Sequence, residues 1–118
     1  MLVQPSNEAE LCNAVATSVA IDDRPSCFRF PRGNGLGVSL AEYGVGQDLK
    51  GKPWQIGKGV VRRQGKDVAL VGYGTSTNDC LAAAEMLAER GIQATVTDMR
   101  CVLFFSEWSF ATYLLLFS

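Results

Sequence analysis

The alternation of apolar and polar positions divides the chain into two short periodic blocks separated by a glycine-rich stretch. In the first block Leu11, Ala14, Val15 and Val19, with Ser18 among them, recur at helical spacing, which predicts a helix packed along that stripe. Pro5-Ser6-Asn7 turns into this helix. Asn7, followed three residues later by Glu10, forms a capping-box start, and Glu8 and Glu10 suit the positive end of the helix dipole. The helix should stop at Asp22-Asp23-Arg24-Pro25, because the residue before a proline avoids helical backbone. The adjacent acids there read as solvated loop residues. Cys27 to Phe30 follows as a strand that ends at Pro31, which has no N–H for a ladder, and Met1 to Gln4 reads as the frayed end of another.

Gly33 to Gly51 holds six glycines with isolated apolar residues at Leu36, Val38 and Leu40. It reads as a surface linker carrying one short extended piece. After it, Trp54, Ile56 and Val60-Val61 lead to a Gln64–Asp67 turn and the apolar run Val68 to Val71, a pattern that predicts a β-hairpin. Lys58, Arg62 and Arg63 fit a charge-protected edge strand better than a nucleic-acid site. A second helix is expected from Thr77 to Arg90. It has a capping-box candidate in Ser76 and Asp79, a small-residue face in Cys80, Ala83, Ala84 and Leu87, and Gly91 as its C-terminal cap. Ile92, Ala94 and Val96 alternate with polar residues as the next strand. The result is a β-α-β unit with parallel strands.

Composition removes several kinds of chemistry. The 118 residues carry 11 Lys and Arg against 12 Asp and Glu, so no broad basic field exists for nucleic acid. Histidine is absent, and with it the commonest general base near neutral pH and the commonest metal ligand. Cys12, Cys27, Cys80 and Cys101 are scattered without C-x-x-C spacing, which points away from zinc and toward small buried thiols in a reducing compartment. The N-terminus shows no signal-peptide or transit-peptide pattern.

Two arginines are the candidate binding residues. In Phe28-Arg29-Phe30-Pro31-Arg32-Gly33-Asn34-Gly35, Arg32 follows the carboxyl end of a strand, where open α/β sheets hold ligands, on backbone that glycines allow to turn closely. Its planar fork suits a carboxylate or phosphate, and the bland alternative is that Arg32 and Arg29 pair with acids or face water. The turn Gly72-Tyr73-Gly74 admits a phosphate-loop reading with Asp98 as the distant acid, but a tight strand-to-helix turn accounts for it better.

The run Pro5 to Gly35, and within it IDDRPSCFRFPRGNG, resembles plant-type 1-deoxy-D-xylulose-5-phosphate synthase, a transketolase-like enzyme. Ile56-Gly57-Lys58-Gly59, Val68 to Gly74 and Thr97-Asp98-Met99-Arg100 continue the resemblance in order. It implies an α/β fold: residues 1–40 as the end of a transketolase pyrimidine-binding domain, 41–53 as a linker, and 54–100 as the first half of a C-terminal domain, three-layer α/β/α with a mixed sheet. It further implies a homodimeric plastid enzyme that condenses pyruvate with glyceraldehyde 3-phosphate, losing carbon dioxide, in isoprenoid and thiamine precursor synthesis. Thiamine diphosphate and Mg2+ serve that family, with the diphosphate site, the activating glutamate and the catalytic histidines upstream of this stretch. By the same resemblance Arg32, with Arg29 as runner-up, holds the substrate phosphate. No residue here reads as catalytic, cofactor-binding or metal-binding, so a fragment inactive by itself is expected.

Residues 101–118 depart from the family, which continues there with a Lys-Pro-Leu-Asp loop. They carry one charge, Glu107, and Phe, Leu, Ser, Tyr, Trp and Cys fill 14 of the 18 positions, as a translated intron or shifted frame would. The stretch reaches the lower edge of a membrane span in length but lacks its flanks. Two alternatives therefore accompany the fragment: a non-catalytic module that pairs with the full-length synthase, and a small membrane-anchored protein.

Overall fold

A computed structural model describes residues 1–102. The expectations for the tail from residue 103 onward lie outside the described residues. In chain order the elements are β1 (Leu2–Val3), α1 (Glu8–Val19), β2 (Cys27–Phe28), a 3-10 helix at Leu40–Tyr43, β3 (Val60–Arg63), β4 (Val68–Gly72), α2 (Ser76–Glu89), β5 (Ala94–Asp98) and β6 (Cys101–Val102).

The strands form two mixed sheets, in the α/β class that the sequence predicts. In the first sheet β1 lies between β2, its parallel neighbour, and β6, its antiparallel one. Val3, Ala14 and Cys101 are its buried centre, with Met1, Phe28 and Trp54 packed around them. In the second sheet β5 lies between β3 and β4, antiparallel to β3 and parallel to β4. The expected β-α-β unit is therefore present. Ala84 of α2 packs on Ala94 and Val96 of β5, with Cys80, Leu81 and Leu87 beside them. Gly72, at the end of β4, lies so close to the first turn of α2 that a Cβ would collide with Thr77 backbone.

The hairpin expected between Val60-Val61 and Val68–Val71 does not form, because β5 takes the place between the two strands. Every residue of β5 except Thr95 is buried, so it is the interior strand, whereas β3 and β4 are edges. A four-residue turn after β3 permits a hairpin but does not compel one when a more deeply buried strand competes for the same ladder. The charge-protected edge expected for β3 is half right: β3 is an edge, but Arg62 points inward.

The helix boundaries follow the sequence closely, with one difference in facing. Asn7 caps α1 and accepts from the Glu10 N–H at 2.9 Å. The buried face, however, is Ala9, Glu10, Asn13, Ala14 and Thr17, while Val15 and Val19 are exposed. The predicted apolar stripe lost because the glycine-rich stretch lies along the polar face and binds it. Asn13 Nδ2 donates to the Tyr43 carbonyl at 3.2 Å, the Lys52 N–H donates to Asn13 Oδ1 at 2.8 Å, and the Trp54 N–H donates to Thr17 Oγ1 at 2.8 Å. Gly51 passes so close to Cys12 that a side chain there would overlap its carbonyl. The short extended piece expected around Leu36–Leu40 is instead irregular backbone leading into the 3-10 helix.

Two further expectations are corrected. Ser76 does not cap α2 in concert with Asp79; its hydroxyl accepts from the Tyr73 N–H and donates to the Tyr73 carbonyl, bracing the turn before the helix. Of the four cysteines only Cys101 is buried, and Cys27 is exposed, because it lies on the edge strand β2.

Candidate functional site

Arg32 lines an open cleft of about 740 Å³ whose other walls are the first turn of α1 and the first turn of α2. The path to it begins in β2. The Arg29 N–H donates to the Val3 carbonyl at 2.8 Å, and the rings of Phe28 and Phe30 stack at 6.3 Å on the shared face that strand alternation predicts. Pro31 then ends the ladder and Arg32 emerges into solvent. Among the described residues no acid pairs with Arg32, and its guanidinium stays available to a ligand. Arg29 is likewise exposed but does not line the cleft. Its charge acts instead on the Tyr73 phenol, lowering a pKa that burial raises further than Arg29 can offset.

The backbone after Arg32 is held from α1. One carboxylate, Glu8, accepts three successive N–H groups: Leu36 on Oε2 at 2.9 Å, Gly37 on Oε1 at 2.6 Å and Val38 on Oε1 at 2.9 Å. The Gly35 Cα lies against the same carboxylate, and a Cβ there would come within 2.9 Å of it. Bonds from its own N–H and from Leu36, Gly37 and Val38 outweigh desolvation and hold the Glu8 carboxyl below its ordinary value. Sequence reasoning assigned Glu8 to the helix dipole alone. A carboxylate that reaches 28 to 30 positions along the chain leaves no local signal.

A second set of charged residues, Glu10, Arg62, Asp98 and Arg100, forms a largely buried cluster between the two sheets. Arg62 pairs with Glu10 and, at 3.3 Å, with Asp98, and Arg100 pairs with Glu10 at 2.8 Å. Ser6 Oγ donates to Asp98 at 2.8 Å, and the Arg100 N–H donates to the other Asp98 oxygen at 3.1 Å. The guanidiniums of Arg62 and Arg100 stack over Tyr43 at 5.0 Å and Trp54 at 4.9 Å. Burial pushes the Glu10 carboxyl up, but hydrogen bonds and charge from Arg100 and Arg62 outweigh it, and the carboxyl ends below its ordinary value. Arg62 is pulled down by burial and raised further by Glu10 and Asp98. Asp98 is thus a structural partner of Arg62, which weighs against the phosphate-loop reading of Gly72–Gly74 that needed it as the distant acid.

These residues do not fit a magnesium–diphosphate group. The two carboxylates that converge, Glu10 and Asp98, already face two guanidiniums. Among the described residues no three His, Cys, Asp or Glu side chains cluster as metal ligands do.

Comparison with known proteins agrees with this architecture. Residues 57–114 match the family model for the transketolase C-terminal domain. The chain is 52% identical over 100 residues to the chloroplastic 1-deoxy-D-xylulose-5-phosphate synthase 1 of Oryza sativa subsp. japonica, and 54% identical to that of Cannabis sativa. It is 53% identical to a probable 1-deoxy-D-xylulose-5-phosphate synthase, chloroplastic, of Capsicum annuum. Each alignment covers 85% of this chain and 13% of the relative, so the chain spans about an eighth of their length. Among solved structures, a split-gene transketolase described as an inactive beta4 tetramer superposes with a TM-score of 0.66 at 28% identity, over 86% of this chain and 30% of the other.

Proposed function

The chain belongs to the 1-deoxy-D-xylulose-5-phosphate synthase family of transketolase-type transferases, and from that premise we propose that it contributes a substrate-phosphate contact to such an enzyme without its catalytic machinery. In this reading residues 1–40 end the domain that holds the cofactor's pyrimidine, 41–53 connect, and 54–100 begin the C-terminal domain. The whole enzyme, a plastid homodimer, condenses pyruvate with glyceraldehyde 3-phosphate and releases carbon dioxide. Thiamine diphosphate and Mg2+ belong to parts of the enzyme beyond this stretch, in line with the poor fit of Glu10 and Asp98 to a metal site. The observation that carries the reading is Arg32: exposed, without an acid partner among the described residues, and set in a cleft beside two helix N-termini. Arg29, which lies outside the cleft, is the second candidate.

Two measurements test it. The purified chain, given pyruvate, glyceraldehyde 3-phosphate, thiamine diphosphate and Mg2+, forms no 1-deoxy-D-xylulose 5-phosphate; detectable product defeats the inactive-alone reading. With residues 1–100 exchanged into the rice synthase, Arg32→Ala raises KM for glyceraldehyde 3-phosphate about tenfold or more and leaves KM for pyruvate in place. Equal KM values in parent and variant defeat the phosphate role.

A second reading, a non-catalytic module that pairs with full-length synthase, rests on the edge strand β4, where Val68 and Val71 are 41% and 57% exposed. Co-purification of the tagged chain with the synthase supports it, and recovery of the chain without the enzyme opposes it. No helix among the described residues is long and apolar enough to cross a membrane.

A further inference from the structure

We propose that Glu8 is a positioning residue for Arg32, a carboxylate clasp that fixes the loop on which the anion-binding guanidinium stands; the proposal rests on the phosphate reading of that cleft. The Gly33–Val38 backbone belongs to neither sheet and to no helix, and Gly33 and Gly35 give it little resistance to other conformations. Among the described residues, the hydrogen bonds that tie it to the body of the protein run to one side chain. Three consecutive backbone N–H groups converge on the Glu8 carboxylate, with Gly37 in left-handed backbone at φ 75° so that its N–H and that of Val38 reach the same oxygen. Glu8 itself is fixed as the first residue of α1, whose N-terminal cap is Asn7. The rigid end of a helix is thereby transmitted to a glycine loop. Arg32 then stands over the cleft rather than sweeping through solvent, and less ordering entropy remains to be lost when an anion binds.

The arrangement separates from simple electrostatics in a measurable way. Glu8 is an acid on the wall of a cleft proposed to take an anion, so on charge alone its removal strengthens anion binding. A clasp predicts the opposite. Asp79 lines the same cleft from α2, accepts none of the three N–H groups that Glu8 holds, and serves as the charge control.

The experiment is an NMR titration of the full chain with inorganic phosphate and, separately, with glycerol 3-phosphate, alongside amide exchange of residues 36–38. Glu8→Gln removes the charge and turns the oxygen that serves Leu36 into a donor group. Its phosphate affinity falls about tenfold, the scale of one charge-assisted hydrogen bond, and the three amides exchange faster. Asp79→Asn binds phosphate more tightly than the parent, and Glu8→Asp, one methylene short, falls between parent and Glu8→Gln. Tighter or unchanged binding in Glu8→Gln overturns the clasp, as does parent-like exchange at 36–38 in that variant. If the parent binds neither ligand while its 36–38 amides are protected and Glu8→Gln exposes them, the phosphate reading fails and the clasp survives as a loop tether. If instead Arg32→Ala abolishes binding and Glu8→Gln leaves it intact, the phosphate reading stands and the clasp falls.

Discussion

Arg62 and Glu10, 52 positions apart, form a buried ion pair that joins the edge strand of one sheet to the helix packed on the other. The Glu10 side chain is fully buried and that of Arg62 is 18% exposed, so the carboxylate has no water to fall back on and the guanidinium little. Asp98 and Arg100 complete a two-against-two set of charges, which makes the burial tolerable. Arg62→Met removes one cation and leaves Arg100 to face both acids. A loss of about 2–3 kcal/mol by urea denaturation is expected, less than for an isolated buried pair because Arg100 remains. A loss under about 0.5 kcal/mol makes the pair incidental.

The same carboxylate sets an acid limit. Glu10 in the folded chain lies below its ordinary value of 4.5, so it binds its proton less readily folded than unfolded. Its contribution is then fully present above pH 4.5 and is lost as pH falls from there through the folded value. Arg62, whose own value is raised, stays charged throughout that window. Melting temperature should drop below pH 4.5 in the parent and drop less in Glu10→Gln, which begins from a lower plateau. Parallel curves for the two proteins contradict this assignment.

Thr17 offers a cleaner test of how the glycine-rich stretch is held. Its hydroxyl accepts the Trp54 N–H at 2.8 Å and donates to the Asn13 carbonyl at 2.6 Å. Thr17→Val keeps the shape and strands a backbone donor, at a cost of about 1–2 kcal/mol. Hydrogen exchange at the Trp54 amide should quicken more than at Val96, in the middle of β5. Uniform acceleration across both sites means that the strap is not anchored there.

Arg100 stands in left-handed backbone at φ 56°, where a side chain is strained. Glycine relieves that strain and alanine does not, while both lose the bond to Glu10 and the stack on Trp54. Arg100→Gly should therefore be about 1 kcal/mol more stable than Arg100→Ala, and both less stable than the parent. An alanine variant as stable as the glycine one removes the strain from the account.

Much of this was legible along the chain, for reasons that differ by element. Asn7 and Gly91 mark helix ends by local backbone chemistry, so α1 and α2 lie within a residue or two of their expected limits. The parallel β4–β5 pair follows from the handed crossover. What the pattern missed depends on partners far away in sequence. The outward turn of Val15 and Val19, the insertion of β5 between β3 and β4, and the inward turn of Arg62 each answer to a chain segment that no local window contains. At the cleft, Arg32 could be singled out from its position after a strand and before glycines. Glu8 could not, since its three partners lie on backbone, where any residue type would serve as well.

The pairing of Val3 with Cys101 has a consequence for synthesis on the ribosome. The second residue of the first strand meets its antiparallel mate only when nearly everything between them has emerged. β5 ends at Asp98 and β6 begins at Cys101, so the interior strand of one sheet and the closing strand of the other leave the ribosome almost together, and Val3 and Ala14 await a lid until then. Both sheets should thus close together, late in synthesis, rather than one after the other.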